Sequence, residues 1–225
     1  MRRWCILTKV IGFLGGNHYD FISYVGHVLS EMNFQVLLVD YTPLQELMAT
    51  VPEYVFQKVT EYRDLFYVGA PEITEIKQYM EEETYDFILI DFEYSSKGKE
   101  FFLCHSICFV TDMQRHHLEI VENLKIPSNI ERFLVVKEES PIRKMSFYLR
   151  GMITEMKLQE SNYFSCPWGE RERKNQMRCQ YQYDIPWERT SSSMKQIVWS
   201  LVRRWLQYQE KEEIGILHLP TEGMI

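Results

Sequence analysis

The stretch that most constrains this chain is Lys9 to Tyr41, KVIGFLGGNHYDFISYVGHVLSEMNFQVLLVDY. Its apolar run Val10 to Leu14 leads into Gly15-Gly16. A helical stretch follows, and a second apolar run, Val36 to Val39, closes on Asp40. A glycine turn between a buried strand and a helix start is a common way to hold a phosphate, because successive backbone N–H groups and the helix N-terminus point at one place. The stretch therefore predicts a strand–turn–helix–strand unit with an anion site at the turn. Gly15, Gly16, Asn17, His18 and Tyr19 are the residues placed to form that site.

The rest of the chain repeats the alternation. Leu44 to Ala49 reads as a short helix with Pro43 in its first turn, and Leu65 to Val68 as a short strand. Pro71 to Glu83 is helical, with Ile73, Ile76, Tyr79 and Met80 on one face. The segment YDFILID, Tyr85 to Asp91, has four consecutive apolar residues closed by an aspartate, which is the pattern of a strand covered on both faces. Ile107 to Val110 is a further strand ending near Thr111-Asp112. Met113 to Leu124 is a helix with Arg115, His116 and His117 in its first turn, and Arg132 to Val136 is another strand. Pro141 to Met156 is helical, with a stripe of Met145, Tyr148, Leu149, Met152 and Met156 suited to a core. Ser161 to Arg189 has no clear period; it is rich in aromatics separated by basic residues and reads as a packed irregular segment or a partner surface. The last helix starts at the caps Ser191 to Ser193, carries Met194, Ile197, Val198, Leu201, Val202, Trp205 and Leu206 on one face, and ends near Gln209.

Alternating strands and helices with doubly buried strands predict an α/β fold, a doubly wound and mostly parallel sheet flanked by helices in a three-layer, Rossmann-like sandwich. Residues 1–209 read as one domain and 210–225 as a tail. In such sheets the ligand crevice lies at the carboxyl ends of the strands. Asp40 and Asp91 are therefore candidate site residues, with the capping of a following turn as the competing role for each.

Charge and cysteine content narrow the functions. The 225 residues carry a net charge of -7, which argues against general nucleic-acid binding. Five cysteines without regular spacing predict reduced thiols. Cys104, His105 and Cys108 form a C-H-x-x-C cluster, but a second ligand pair is absent, so buried structural cysteine is the better reading and no metal site is expected. No apolar run reaches the length of a membrane span. The basic N-terminus is interrupted by Lys9 and lacks a small-residue cleavage site, so no signal peptide is expected and a cytoplasmic location is.

With these segments in place, the chain resembles the MinD/ParA family of P-loop ATPases. The resemblance runs through SYVGHVLSEMNFQVLLVDYTP, then YDFILID at the place of the Walker B strand, then SICFVTDMQRHHLEIVENL, and last YDIPWERTSSSMKQIVWSLVRRWL. It covers Lys9 to about Gln207 and implies a P-loop NTPase fold, dimerisation and a site for ATP or ADP with Mg. The departures lie in the chemistry. The family's deviant Walker A loop carries a signature lysine, two glycines and then glycine-lysine-threonine. Aligned by the helix that follows, the loop here is FLGGNHY, with Phe13 at the signature lysine, His18 at the phosphate-binding lysine and Tyr19 at the Mg-binding hydroxyl. Thr42 stands where the family has its catalytic aspartate before a proline. No lysine occurs from Ile11 to Ser30. Each such electrostatic loss costs about 10²-fold or more in rate. The resemblance thus implies a degenerate member with no catalytic residues and no required cofactor. Such a chain would act through protein partners as a scaffold, positioning or regulatory factor, similar by analogy to the TadZ/CpaE-like proteins of secretion or pilus assemblies, and could be peripheral to the membrane through them. The alternatives are a nucleotide-binding dimerisation switch holding weak ATP or ADP with Mg at Gly15, Gly16, Asp40 and Asp91, and other enzyme chemistry using His18, Asp20 or the Cys104/His105 cluster.

Overall fold

The computed structural model describes residues 8–55, 57–94, 100–138, 145–156 and 158–210. The expected doubly wound sheet is present. Its strands are β1 (Lys9–Gly15), β2 (Val36–Asp40), β3 (Thr60–Tyr62), β4 (Leu65–Gly69), β5 (Phe87–Asp91), β6 (Ser106–Asp112), β7 (Glu131–Glu138) and β8 (Tyr163–Pro167). They lie in the order β3-β4-β2-β5-β1-β6-β7-β8. Every pairing is parallel except the β3–β4 hairpin at one edge.

Among the described residues six helices cover the sheet: α1 (Tyr19–Glu31), α2 (Ile73–Glu81), α3 (Arg115–Asn123), α4 (Met145–Glu155), α5 (Glu170–Tyr181) and α6 (Ser192–Glu210). The period of two along β1 sends Ile11 and Phe13 to the layer with α1, α5 and α6, and Val10 and Leu14 to the layer with α2, α3 and α4. This double coverage explains why the central strands read as unbroken apolar runs. Helix α1 is itself sandwiched. Phe21, Ile22, Val25, Val28 and Leu29 are all buried, and at Gly26 a Cβ would sit 3.4 Å from the side chains of Leu38 and Leu65. Helix α6 lays Trp205 edge-on against Phe13 and Phe133, with centroids 6.2 and 5.9 Å apart.

Three segments depart from expectation. In place of a helix over Leu44 to Ala49, the chain makes a turn around Asp40 and a single 3₁₀ turn, Met48–Thr50. The stretch Ser161 to Arg189, expected to be irregular, contains β8 and α5. Helix α5 has no apolar stripe because its inward positions are Glu172, Asn175 and Cys179. For the α4 stripe, Leu149, Met152 and Met156 are buried in the core as expected. The side chains of Met145 and Tyr148 lie outside the described residues, as does the tail beyond Glu210. Among the described residues, no helix is long and apolar enough to cross a membrane.

The crossover after β1 leaves through the α1 layer. The connection after β5 leaves through the opposite layer, where Phe92 and Phe101 pack. Adjacent strands whose connections diverge mark a switch point, and here it lies between β1 and β5.

Candidate functional site

At the switch point, β1 ends at Gly15 and only Gly16, Asn17 and His18 separate it from α1. The loop is shorter than the expected FLGGNHY. Phe13 and Leu14 are strand residues with no exposure, and Phe13 packs on Phe21 and Trp205 rather than standing at a loop mouth. Tyr19 is the first residue of α1; it is buried, and its hydroxyl donates to the Gln176 carbonyl at 3.3 Å. Gly15 has φ +143 and Asn17 φ 51, and these turn the chain sharply into the helix. The glycine-to-lysine span of a phosphate loop is longer, so this connection has few N–H groups to wrap around a phosphate.

His18 faces Asp91 across the junction. Its Nε2 lies 3.1 Å from Asp91 Oδ1, and both side chains are buried. The contact is off the N–H axis, and neither ring nitrogen makes an aligned hydrogen bond. It is therefore a close polar contact and not a directed hydrogen bond. The same Asp91 oxygen accepts the Glu93 N–H at 2.9 Å. Asp40 has a different occupation. Its Oδ1 accepts the Thr42 N–H at 3.1 Å and the Thr42 hydroxyl at 2.7 Å, while Oδ2 accepts the N–H groups of Leu47 and Met48 at 2.9 and 3.0 Å. Burial pushes the Asp40 carboxyl up and neighbouring Asp91 adds to it, against the pull of these donors. Asp40 shapes the turn after β2, so the capping role weighed for both aspartates describes it. Thr42 serves the same turn and accepts the Gln45 N–H at 3.1 Å.

The cation that does reach the loop comes from β7. Alternation along that strand puts Phe133 and Val135 in the α1 layer, and Lys137 continues the series at the strand's carboxyl end. Its ammonium donates to the Asn17 carbonyl, lies 3.8 Å from Asp20 Oδ1 and sits 4.0 Å from the centre of the Trp168 ring. Gln176 on α5 donates to the same carbonyl at 2.7 Å and to Asp20 Oδ1 at 3.3 Å. Burial pushes the Asp20 carboxyl up and the Lys137 ammonium down, and their mutual attraction opposes both shifts. Sequence reading placed Asp20 beside the loop and passed over Lys137. The signal was available: Lys137 is a charged residue closing a buried strand, as Asp40 and Asp91 are.

Tyr94 lies against the loop at Gly16. A Cβ on Gly16 would come 2.9 Å from its ring and 3.5 Å from its hydroxyl oxygen. Burial pushes this phenol up to about 12, so it remains neutral. Tyr94 also stacks on His117, centroids 5.3 Å apart, and His117 Nδ1 lies 2.8 Å from Asp112 Oδ1 at the end of β6. A magnesium nucleotide would need a lysine and a hydroxyl at the loop, open glycine N–H groups and free strand-end carboxylates. Here the Tyr94 ring lies against a half-buried Gly16, Asp40 is saturated, and Asp91 is met by His18. The residues as arranged do not fit that group.

The C-H-x-x-C cluster is divided by the sheet. Cys104 packs in the α3 layer and Cys108 in the α1 layer, and His105 Nδ1 accepts the Val10 N–H at 3.0 Å. Among the described residues no group of three His, Cys, Asp or Glu side chains could hold a metal. Burial pushes the Cys104 and Cys166 thiols up to about 12 and raises those of Cys108 and Cys179 as well. In a Cys5→Ser background, the native protein is expected to show no fast-reacting thiol toward a disulfide reagent, and all four to react on unfolding. A thiol that titrates within seconds in the native state would contradict this burial.

No protein-family model matches the chain, and no curated protein matches it in sequence. Solved structures do match it in shape. A ParA family ATPase from Chlorobium tepidum TLS superposes with a TM-score of 0.65 at 16% identity, covering 86% of this chain and 98% of that one. The fold is that of the ParA/MinD ATPases. The Aquifex aeolicus MinC:MinD cell division complex gives 0.66 at 13% identity over 93% and 99% of the two chains. A putative plasmid partition protein from Borrelia burgdorferi B31, bound to AMPPNP, gives 0.60 at 14% over 89% and 99%. The set extends to pNOB8 ParA bound to nonspecific DNA, at a TM-score of 0.52 and 12% identity. At these identities the ParA/MinD likeness establishes the fold, while the chemistry of the loop is this chain's own.

Proposed function

We propose that this chain is a non-catalytic protein on the ParA/MinD fold, working through protein–protein contacts as a scaffold, positioning or regulatory factor. The observation that carries the reading is the His18–Asp91 contact at 3.1 Å. The strand-end carboxylate that corresponds to Walker B is met by a side chain of the loop itself. Phosphoryl transfer consists largely of positioning and charge compensation, and the groups that would supply both are missing or already engaged. A MinD of the same fold forms a complex with MinC, which supports a protein partner for this chain, and the family's habit of pairing makes a homodimer part of the proposal. The net charge of -7 favours a protein over a DNA partner, even though one neighbour binds DNA. A place in a secretion or pilus assembly, in the manner of the TadZ/CpaE-like proteins, is the narrower form of the proposal and rests on analogy.

The purified protein with Mg and ATP is expected to show no phosphate release above the no-enzyme rate, and His18→Ala or Asp91→Ala to change nothing. Robust turnover that either substitution abolishes would sink the reading. Calorimetry with ATP and with ADP is expected to give no heat at millimolar ligand; a saturable heat without turnover would instead make the chain a nucleotide-binding dimerisation switch.

A further inference from the structure

We infer that Lys137 is an internal cation that holds the β1–α1 loop in one conformation. The inference rests on the non-catalytic reading insofar as no phosphate is available to order that loop. The loop itself is poorly determined by local forces. It has three residues, one of them in the left-handed region, and no capping hydrogen bond from His18 to the start of α1. Its Asn17 carbonyl points to the α1 layer and accepts from two elements far away in sequence, Lys137 on β7 and Gln176 on α5.

Burying an ammonium and a carboxylate together is a poor way to gain stability, because desolvation offsets most of their attraction. Both charges here are almost completely removed from water, with side-chain exposures of 6% for Lys137 and 1% for Asp20. An apolar pair of similar size would serve the core as well or better. What an apolar pair could not supply is direction. The Lys137 ammonium bonds a loop carbonyl, attracts the first turn of α1 through Asp20, and is fixed from behind by the face of Trp168. One side chain thus ties together the loop, α1 and the end of the sheet. Lys137 is a positioning residue, and its product is a loop that keeps one shape without a ligand.

The test is hydrogen exchange followed by mass spectrometry on the full chain, reading peptides over 15–21 and, as an internal reference, over 65–81. Lys137→Met is expected to speed exchange of the loop peptide about ten-fold while leaving the reference unchanged. It should also lower the thermal midpoint, since it strands Asp20 in the core. The double variant Lys137→Met/Asp20→Asn removes the stranded charge and is expected to recover the midpoint without recovering loop protection. That split separates positioning from mere stability, and the double variant carries the test if the single one does not fold. Loop protection equal to wild type in the double variant would overturn the inference. Wild-type exchange with MgATP added addresses the non-catalytic reading separately: nucleotide protection of the loop would defeat that reading, and the Lys137 comparison, made without nucleotide, would still decide the present one.

Discussion

Gly15→Ala is expected to be among the most damaging single-atom changes in this protein, lowering stability by about 3–5 kcal/mol through combined overpacking and backbone strain. The added Cβ would lie 1.8 Å from the Val110 carbonyl oxygen. That oxygen belongs to β6 at the residue paired with Gly15, so it cannot swing aside as a side-chain end would. The φ of +143 is a second and independent penalty, because L residues rarely adopt it. Set against a total of about 5–15 kcal/mol for a typical domain, the loss should move the urea midpoint far down. Gly151 in α4 is the control. Among the described residues nothing lies within 4 Å of a Cβ built there, and alanine at a helical position is expected to raise stability by roughly 0.5–1 kcal/mol. Equal midpoints for the two variants would show that the β1–β6 junction is not as tight as described. The prediction also bears on function: Gly15 is fully explained by strand geometry, so its presence is no evidence for a phosphate.

The framework was legible because the sheet buries its strands on both faces. VLLVD, FILID and the ICFV run announce themselves as unbroken apolar segments, and each was placed within a residue or two. Segments whose burial does not follow hydrophobicity were missed. Helix α5 turns Glu172 and Asn175 inward, where Glu172 accepts the Gly169 N–H and Asn175 donates to the Arg189 carbonyl. A polar inner face held by such bonds leaves no period to read. Strand β3 has three residues and only its pairing with β4 defines it. The helix expected at Leu44 to Ala49 lost to a tertiary competitor, the Asp40 carboxylate, which draws the Leu47 and Met48 N–H groups into a turn.

The site was half legible for a related reason. Charged residues that close buried strands could be found by rule, and Asp40 and Asp91 do sit side by side at the carboxyl edge, paired in register. Which partner each would take could not be found by rule, since the partners come from elsewhere: His18 from the loop for Asp91, and the turn after β2 for Asp40. The missing lysine of the loop was a correct reading of residues 11–30, yet the structure brings an ammonium to the same loop from β7. Absence of a residue type from a motif does not establish absence of its charge from the site.

Asp40→Ala tests which kind of aspartate ends β2. As the organiser of a turn, Asp40 supplies the acceptors for three backbone N–H groups and one hydroxyl, at 2.7 to 3.1 Å. Thr42, Leu47 and Met48 are all buried, so alanine would leave donors with no water to turn to. Each unsatisfied buried donor costs about 1–3 kcal/mol; with partial relaxation of the turn the expected loss is about 3–4 kcal/mol. Asp40→Asn should fall between, because its amide keeps one acceptor oxygen and sets an NH₂ against N–H groups that need the other. Both losses should appear in full in the presence of EDTA. A metal-ligating aspartate would behave in the opposite way. Its removal would relieve repulsion with Asp91, whose charge already pushes the Asp40 carboxyl up, and the metal-free protein would be as stable as wild type or more so. A wild-type midpoint for Asp40→Ala in EDTA would therefore return Asp40 to the list of ligands and reopen the strand-end crevice to a magnesium nucleotide; a collapsed midpoint fixes Asp40 as part of the fold.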